Sequence, residues 1–518
     1  MFKVRVEAYS HAIKVIPYSD EAKKAAYRFC GDLIKFKTER VAEEGQPVWK
    51  GKLVQVPDCT FAASPWDRSY FVFHIEQRDE FRSHLEKNGI KQNEIDWFDV
   101  PMYEPVKVKY KIKAKWSDRD YQIPAIQFLA NDFTRNILPI QTGKGKGYMS
   151  MRGLQEMGTR GSVVVGASYL KKWYEEMLDV YDIDPERILV IQGSKALMRA
   201  IDVAKNKPSD FDYDIILISA NTLSAYIRTY EAYVGTENGE LYTDPRVIWY
   251  LFGVGVRIID EAHQMLHAYY KIDLYTHIPK SFYLSATIMG NDAFETRIQS
   301  IIYPTKYQFN AIAWDKYILA TSLHYGLHEP LKARYKDYRK NYSHVIYEQY
   351  LMRNKKTLKN YLKLIYDYTF NTYIKHRKPK QKFLIFASTI EMCNIIVEHL
   401  TTKLKEYDVK IGRYVGEDDI DVIYESDITV TTPGSGGTAI DIPDLMWVLC
   451  TWAGASNKLN IQMLGRLRKS KTYPDETPEY TYLVCSDISK HLKYDEQKYE
   501  LFNGRVKHHR KQMSYALV

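Results

Sequence analysis

Apolar runs of strand length alternate with stretches of helix length through most of this 518-residue chain. Strands separated by helix-length segments are typical of parallel sheets, because a crossover helix returns the chain to the same edge of the sheet. Six runs form a first series, at 136–142, 162–168, 187–193, 213–220, 256–262 and 281–287. Five more form a second series, at 382–388, 410–416, 427–433, 446–452 and 480–486. The pattern predicts an α/β fold with two parallel sheets in tandem.

The N-terminal part of the chain follows a different pattern. Two helical stretches, one capped by Ser19 and Asp20 and one ending at Gly89, are mixed with short strand-like runs at 2–8, 11–17, 47–57 and 69–76. The sequence therefore predicts a small α+β domain before the two sheets. The expected domain boundaries are 1–105, 106–310 and 311–518.

Composition excludes several classes of protein. Apolar residues make up 45% of the chain and charged residues 26%, which is ordinary for globular proteins and unlike a disordered or collagen-like chain. The five cysteines are scattered and odd in number, so neither a disulfide framework nor a zinc site is expected. No apolar run reaches the ~18 residues of a membrane span, and the N-terminus lacks the apolar core of a signal peptide. These features predict a cytoplasmic protein.

Lysines alternate with apolar residues at 106–115, so that Lys107, Lys109, Lys111, Lys113 and Lys115 would share one face of a strand. That face could be solvated, or it could follow a phosphate backbone. Both interpretations are open from the sequence.

Positive charge is concentrated at 332–382, where fifteen Lys and Arg residues face three acidic ones. A basic segment rich in tyrosine suits nucleic acid. It also fits an amphipathic helix, with an apolar face formed by Leu358, Tyr361, Leu362 and Ile365. The two interpretations are compatible, since Lys355, Lys356 and Lys359 would then face phosphates from the opposite side.

A glycine- and lysine-rich loop follows the first run of the first series. A triphosphate needs backbone N–H groups presented without obstruction by Cβ atoms, and a lysine that reaches the terminal phosphates. Lys146 is the candidate for that lysine. The predicted ATP-binding residues of the loop are Thr142, Gly143, Lys144, Gly145, Lys146 and Gly147.

An acidic pair ends the fifth run of the first series. At the carboxyl end of a parallel strand, Asp260 and Glu261 would face the crevice that holds the phosphate loop. Asp260 could hold Mg²⁺, and Glu261 could position and deprotonate an attacking water molecule. The alternative is a strand end capped by solvated acids.

A cationic stretch at 462–469 lies in the second series. Arg466 and Arg468 could stabilise the transition state of phosphoryl transfer. The alternative is simply a cationic helix face.

In this order and spacing, the motifs resemble those of superfamily 2 helicases over nearly the whole chain. Segment 119–122 resembles the adenine-reading segment, with Arg119 and Gln122 as its contacts, and 142–147 resembles motif I. Motifs Ia, Ib, II and III are matched at 168–173, 219–223, 260–263 and 285–287. Motifs IV, V and VI are matched at 383–387, 437–443 and 462–469.

Within the superfamily the chain is similar to the bacteriophage UvsW-type branch, related to XPB- and RecG-like enzymes. The resemblance implies two tandem RecA-like domains, with ATP and Mg²⁺ as cofactors. It implies translocation, unwinding and branch migration on forked, four-way or displaced-strand DNA, sometimes on RNA–DNA hybrids, in recombination, replication and repair. The small N-terminal domain would engage duplex at the junction, and a monomer in the cytoplasm (of the host, for a phage protein) is expected. It also assigns Asp441 to ATP, Gln462 to catalysis, and Ser168, Thr222 and Thr432 to DNA.

Three positions depart from the family pattern. Gly147 replaces the hydroxyl residue that ligates Mg²⁺, Ala439 stands where motif V usually has glycine, and motif VI is one residue short. Either Arg468 or Lys469 could therefore be the second finger. Three alternatives stay open: a nucleotide-dependent clamp with impaired hydrolysis, the motor subunit of a restriction-type enzyme, and an RNA helicase.

Overall fold

The computed structural model describes residues 2–41, 52–65, 67–141, 143–236, 239, 241–286, 288, 293–310, 315–338, 340–416, 418–436 and 442–518. They form two compact units, 1–312 and 313–518. Within the described residues, no helix has the length and apolar character needed to cross a membrane.

The first unit begins with a small α+β region. Its four-stranded sheet has the order β5-β2-β1-β6, with β1 antiparallel to β2 and parallel to β6. The strands are β1 (Val4–Ala8), β2 (Ala12–Pro17), β5 (Phe71–His74) and β6 (Ile95–Asp99), and the helices are α1 (Asp20–Gly31) and α2 (Arg78–Lys87). Ser19 caps α1, as predicted, by accepting a hydrogen bond from the Ala22 backbone N–H. An antiparallel pair, β3 (Ile34–Val41) and β4 (Lys52–Thr60), completes the region; the predicted run at 47–57 lies partly outside the described residues.

A six-stranded sheet of order β7-β12-β11-β8-β10-β9 forms the rest of the first unit, and every pairing is parallel. Its strands confirm the first series: β7 (Arg135–Pro139), β8 (Gly161–Val165), β9 (Ile188–Ile191), β10 (Ile215–Ser219), β11 (Val256–Ile259) and β12 (Lys280–Ser285). The helices are α3 (Ile123–Leu129), α4 (Lys146–Met157), α5 (Leu170–Val180), α6 (Ser194–Asn206), α7 (Ala220–Tyr233), α8 (Pro245–Leu251), α9 (Leu266–Asp273) and α10 (Ala293–Ile302).

The second unit contains a seven-stranded parallel sheet of order β15-β16-β14-β17-β18-β13-β19. Five strands confirm the second series: β14 (Lys382–Phe386), β15 (Ile411–Tyr414), β16 (Ile428–Thr431), β17 (Leu445–Cys450) and β18 (Glu479–Cys485). Two were not predicted: β13 (Leu319–Gly326) and β19 (His508–Leu517). The helices are α11 (His344–Arg353), α12 (Lys355–Thr369), α13 (Ile390–Lys403), α14 (Asp421–Glu425), α15 (Pro433–Gly436), α16 (Asn457–Leu464) and α17 (Ser489–Phe502). The observed architecture is therefore the predicted one of two tandem RecA-like parallel sheets.

The lysine-rich run at 106–115, which we call the strap, is not a strand of either sheet. It makes only two isolated bridges, through Lys107 and Ile112, and the strand prediction is wrong here. The strap still alternates between buried apolar residues and lysines. Val108 and Tyr110 are buried, while the lysines point outward or pair with neighbours. Lys111 forms an ion pair with Asp182 at 2.7 Å.

The basic segment contains the predicted amphipathic helix, α12. Tyr361, Leu362 and Ile365 are buried, Leu358 is half-buried, and the lysines of the helix are exposed. The side chain of Asn354 caps the helix by accepting hydrogen bonds from the backbone of residues 356 and 357.

Candidate nucleotide-binding site

The glycine- and lysine-rich loop connects β7 to α4, which begins at Lys146. Gly143 and Gly145 have φ values of +86° and +83°, in the left-handed region that favours glycine. A Cβ atom at position 145 would lie 2.7 Å from Nε2 of Gln122, so space as well as conformation requires glycine. The first N–H groups of a helix lack intrahelical partners and attract anions. The loop can therefore receive a phosphate group; Thr142 lies outside the described residues.

Gln122 holds this loop in place. Its Oε1 accepts a hydrogen bond from the Arg119 backbone N–H at 3.0 Å, and its Nε2 donates to the Lys144 carbonyl at 3.1 Å. Arg119 is exposed and donates to the hydroxyl of Tyr121, which in turn donates to the same carbonyl. The structure thus brings the predicted adenine-reading residues to the phosphate loop.

The charges of Lys146 and Asp260 interact. The Lys146 side chain is buried and donates from Nζ to the Ile140 carbonyl at 3.1 Å. Burial, together with the charge of Glu261, raises the pKa of Asp260, and the Lys146 ammonium opposes that shift. A desolvated carboxylate beside a second carboxylate favours a cation, and oxygen ligands suit Mg²⁺.

Both oxygens of Asp260 are oriented by neighbours. Oδ1 accepts from the Glu261 backbone N–H at 2.8 Å, and Oδ2 accepts from the Trp173 indole at 3.2 Å. A carboxylate has about four acceptor sites, so each oxygen retains capacity for a metal or water. The donor set at Asp260 therefore fits a magnesium ion held partly by phosphates.

Glu261 has a left-handed backbone conformation, with φ of +49°. Its Oε2 lies 3.4 Å from Nε2 of His263, and Nδ1 of His263 lies 2.8 Å from the Ser285 hydroxyl. The Ser285 carbonyl accepts from the Ile140 backbone N–H. Because β7, β12 and β11 are neighbours, the phosphate loop, Ser285 and the acidic pair meet at one edge of the sheet.

One residue beside the loop carries no signal in the sequence. A Cβ atom at Gly147 would lie 3.3 Å from Oε2 of Glu176 and 3.7 Å from the Trp173 ring. Burial raises the pKa of Glu176, whose carboxylate also lies 3.6 Å from Nζ of Lys172. Only the tertiary packing of α5 against α4 shows that Glu176 belongs to this site.

Two predicted nucleic-acid contacts of the first unit differ in their surroundings. Ser168 is exposed directly after β8. Thr222 is buried, and its hydroxyl accepts from the Gly193 backbone N–H at 2.8 Å. We correct the prediction for Thr222, because an inward, hydrogen-bonded hydroxyl serves the fold; the exposed neighbour Asn221 is the candidate instead.

The second unit carries the remaining predicted residues. The Thr432 hydroxyl, after β16, accepts from the Ser435 backbone N–H, and Asp441 lies outside the described residues. Gln462 is half-buried on α16, and beyond that helix Arg466 is buried and Arg468 half-buried. Lys469, the alternative finger, is exposed and lies 5.9 Å from the centre of the Tyr317 ring.

Fold and site together describe a parallel α/β unit with a phosphate-receiving loop beside an acidic pair. Residues 115–289 match the family model described as the Type III restriction enzyme, res subunit. The match covers the part of the first unit that holds the phosphate loop and the acidic pair.

Solved helicase structures are similar to the chain at low identity. The Pyrococcus furiosus Hef helicase domain is 12% identical, with a TM-score of 0.44 over 74% of this chain and 98% of that chain. T4 UvsW is 13% identical, with a TM-score of 0.34 over 99% of this chain and 100% of that chain. S. cerevisiae Dbp5 bound to RNA and ADP BeF3 is 14% identical, with a TM-score of 0.47 over 76% of this chain and 89% of that chain. None of the curated proteins matches this chain.

Proposed function

We propose that this chain is an ATP-dependent DNA helicase that remodels branched DNA, in the manner of the UvsW-type branch. The observation that carries the proposal is the placement of Lys146 and the Asp260–Glu261 pair at one edge of the first sheet, beside a loop with two left-handed glycines. The match of 115–289 to a restriction-enzyme motor family supports the same class of ATPase.

In this proposal the loop and the first turn of α4 bind the β- and γ-phosphates of ATP, and Lys146 neutralises their charge. Gln122 and Arg119 bind the adenine. Asp260 holds Mg²⁺, which when bound supplies charge neutralisation at the γ-phosphate. Glu261, oriented by His263, accepts the proton of the attacking water.

The roles assigned to the second unit belong to the same proposal. Arg466 and Arg468 stabilise the charge that develops on the γ-phosphate, and Gln462 and Asp441 contact the nucleotide. Ser168, Asn221 and Thr432 contact the DNA backbone, joined by Lys355, Lys356 and Lys359 of α12. Backbone contacts carry no sequence information, so binding is expected to be salt-sensitive and independent of base sequence.

The test is ATP turnover of the full chain, measured alone and with forked, four-way, single-stranded and RNA–DNA hybrid substrates. We expect turnover to rise with DNA and to be highest with a branched substrate. Glu261→Gln and Lys146→Ala should each lower turnover by at least 10²-fold, because they remove the base and the phosphate cation. Glu175→Gln, an exposed change on α5, is the control. Unchanged hydrolysis in Lys146→Ala would remove the loop from the proposal.

Gly147 favours a second candidate, a nucleotide-dependent clamp that binds DNA and hydrolyses slowly. The loop lacks the hydroxyl that usually ligates Mg²⁺, so hydrolysis could be impaired while binding persists. The same assay separates the two: a clamp would show nucleotide-dependent DNA binding without DNA-stimulated turnover. Preferential stimulation by RNA would instead favour an RNA helicase.

A further inference from the structure

Gly147 occupies the place at which related phosphate loops carry a serine or threonine hydroxyl. The space that such a side chain would enter is bordered by two groups of α5. A Cβ atom there would lie 3.3 Å from Oε2 of Glu176 and 3.7 Å from the Trp173 ring. The first contact is tight, and it places a carboxylate oxygen beside the position from which the hydroxyl is missing.

The same helix also reaches the expected metal ligand. Trp173 donates its indole N–H to Oδ2 of Asp260 at 3.2 Å, and Glu176 lies one turn further along α5. The charge of Asp260 acts on Glu176, so the two carboxylates share one neighbourhood. Among the described residues no three His, Cys, Asp or Glu side chains cluster as a metal site. Mg²⁺ bound with a nucleotide needs only one or two carboxylates, since phosphates and water supply the other ligands.

We propose that Glu176 replaces the missing hydroxyl as a ligand of the nucleotide-bound Mg²⁺, either directly or through a water molecule. This inference rests on the proposed function, because it assumes that ATP occupies the loop. Replacing a neutral hydroxyl by a carboxylate has a specific consequence. Without metal, Glu176 repels the phosphates; with metal, it strengthens the site. Nucleotide affinity should therefore depend on Mg²⁺ more steeply in this chain than in a protein whose phosphate loop supplies a hydroxyl ligand.

The experiment measures binding of a fluorescent ADP to the full chain, with Mg²⁺ and with EDTA, and binding of Mn²⁺ to the ADP complex by electron paramagnetic resonance. Glu176→Gln is compared with Glu175→Gln, which removes the same charge from an exposed position on the same helix. We expect Glu176→Gln to weaken Mn²⁺ binding by about 10-fold or more. Its affinity for metal-free ADP should stay equal or rise. Glu175→Gln should change neither quantity.

A rescue variant separates metal ligation from a structural role. Gly147→Ser restores a hydroxyl, and the helical position tolerates it once the flexible end of the side chain at position 176 gives way. In the Glu176→Gln background it should restore most of the lost Mn²⁺ affinity.

The outcomes are distinguishable. Absence of nucleotide binding in the unaltered chain would end the proposed function itself. Normal nucleotide binding with equal Mn²⁺ affinity in Glu176→Gln and Glu175→Gln would overturn only the role of Glu176. Equal weakening of ADP binding with and without metal, unrelieved by Gly147→Ser, would show a structural role and would also overturn it.

Discussion

Two separate constraints act on Gly145, and they can be tested apart. Its φ of +83° strains any residue with a Cβ atom, and a Cβ atom would also displace Gln122. Gly158 is also left-handed, with φ of +58° and ψ of +37°, but a Cβ atom there would make only ordinary contacts, the nearest at 3.7 Å from the Val108 carbonyl oxygen. Comparing alanine substitutions at the two glycines therefore separates the effect of backbone strain from that of the steric clash with Gln122.

We expect Gly145→Ala and Gly158→Ala each to lower the free energy of unfolding by roughly 1–2 kcal/mol, the cost of a left-handed alanine. Only Gly145→Ala should also weaken nucleotide binding, because moving Gln122 removes one of the two hydrogen bonds that hold the Lys144 carbonyl and leaves only that from Tyr121. Urea unfolding and a nucleotide titration on both variants are the measurements. Equal nucleotide affinity in the two would show that Gln122 does not hold the loop.

His491 is the second residue with a measurable consequence. Its ring is buried, Nδ1 accepts from the Cys485 backbone N–H, and Nε2 is 2.8 Å from the Tyr342 hydroxyl. Burial, with a smaller contribution from the charge of Lys498, lowers the pKa of His491 to about 3. The neutral ring thus fits its site, whereas in the unfolded chain it binds a proton below pH ~6.5.

The stability from neutral His491 is therefore complete above pH ~6.5 and is lost as the pH falls from there toward about 3. Between pH 7 and 5.5 the loss should be about 1 kcal/mol from this residue. His491→Gln should remove that part of the pH dependence of the urea midpoint. His508→Gln, at an exposed position, should leave it unchanged. Identical pH profiles for wild type and His491→Gln would contradict the assignment.

The sequence predicts the phosphate loop and the acidic pair because each is local: a glycine loop or a strand end carries its own signal. Glu176 and the inward turn of Thr222 have no such signal. Glu176 reaches Gly147 only through the packing of α5, and Thr222, in the first turn of α7, contacts Gly193 in the loop before α6. Such relations arise from tertiary contact, which residue patterns do not encode.

Among the elements, strands β13 and β19 were not predicted, because their residue composition does not mark them as strands. β13 contains polar residues that are nevertheless buried, because neighbours satisfy them: Thr321 accepts from Arg510, and His324 contacts Asp495 at 3.0 Å. β19 is an edge strand with mostly exposed side chains, so no apolar run marks it. The buried strands at the centre of each sheet were predictable because both of their faces are covered.

Helix α12 presents exposed lysines opposite its buried face, and we expect them to contact DNA phosphates. Changing Lys355, Lys356 and Lys359 together to glutamine should weaken DNA binding and reduce the slope of log affinity against log salt by about 2–3. The measurement is a DNA titration at several salt concentrations, with ATP hydrolysis in the absence of DNA as a check on folding.

The strap provides the matched control for charge. Lys107, Lys111 and Lys115 are also exposed, but Lys111 and Lys115 already pair with Asp182 and Asp179. Their replacement by glutamine should leave the salt slope nearly unchanged. A large effect from the strap and none from α12 would reverse our assignment and make the strap the segment that follows phosphates.

At the scale of the molecule, a single hydrophobic core on one face of the six-stranded sheet also includes the small N-terminal region, while a separate core covers the other face. Phe61 of the N-terminal region lies with its ring centre 4.8 Å from that of Tyr270 on α9. Polar contacts cross the same boundary, including a hydrogen bond from the Tyr270 hydroxyl to Gln77. The predicted division at residue 105 stays a prediction, whereas the packing shows both parts buried together.

A buried ionic cluster lies beneath that boundary. Arg257 donates to Asp273 at 2.6 Å, both side chains are fully buried, and Tyr283 donates to the same carboxylate. Arg257 also donates to the Thr276 hydroxyl, and His74 of the N-terminal region lies 3.9 Å from Asp273. Burial raises the pKa of Asp273 despite its partner.

Removing both members should cost less than the sum of the costs of removing each one alone. We expect Arg257→Met to lower the free energy of unfolding by about 3–5 kcal/mol, because it leaves a buried carboxylate without its cation. Asp273→Asn should then cost less in the Arg257→Met background than alone, by on the order of 2 kcal/mol. The same double-mutant cycle on the exposed pair Lys111–Asp182 should show much weaker coupling, because solvent screens both charges. Additive effects at Arg257 and Asp273 would refute the coupling.

This sealed cluster also constrains how the chain can diverge. Replacing only Arg257, or only Asp273, leaves an unpaired buried charge and destabilises the fold. Substitutions at the two positions are therefore expected to occur together in evolution. Relatives should keep the pair intact or have exchanged both for apolar residues. Many homologous sequences with Arg257 but not Asp273, or the reverse, would show that burial does not couple the two positions.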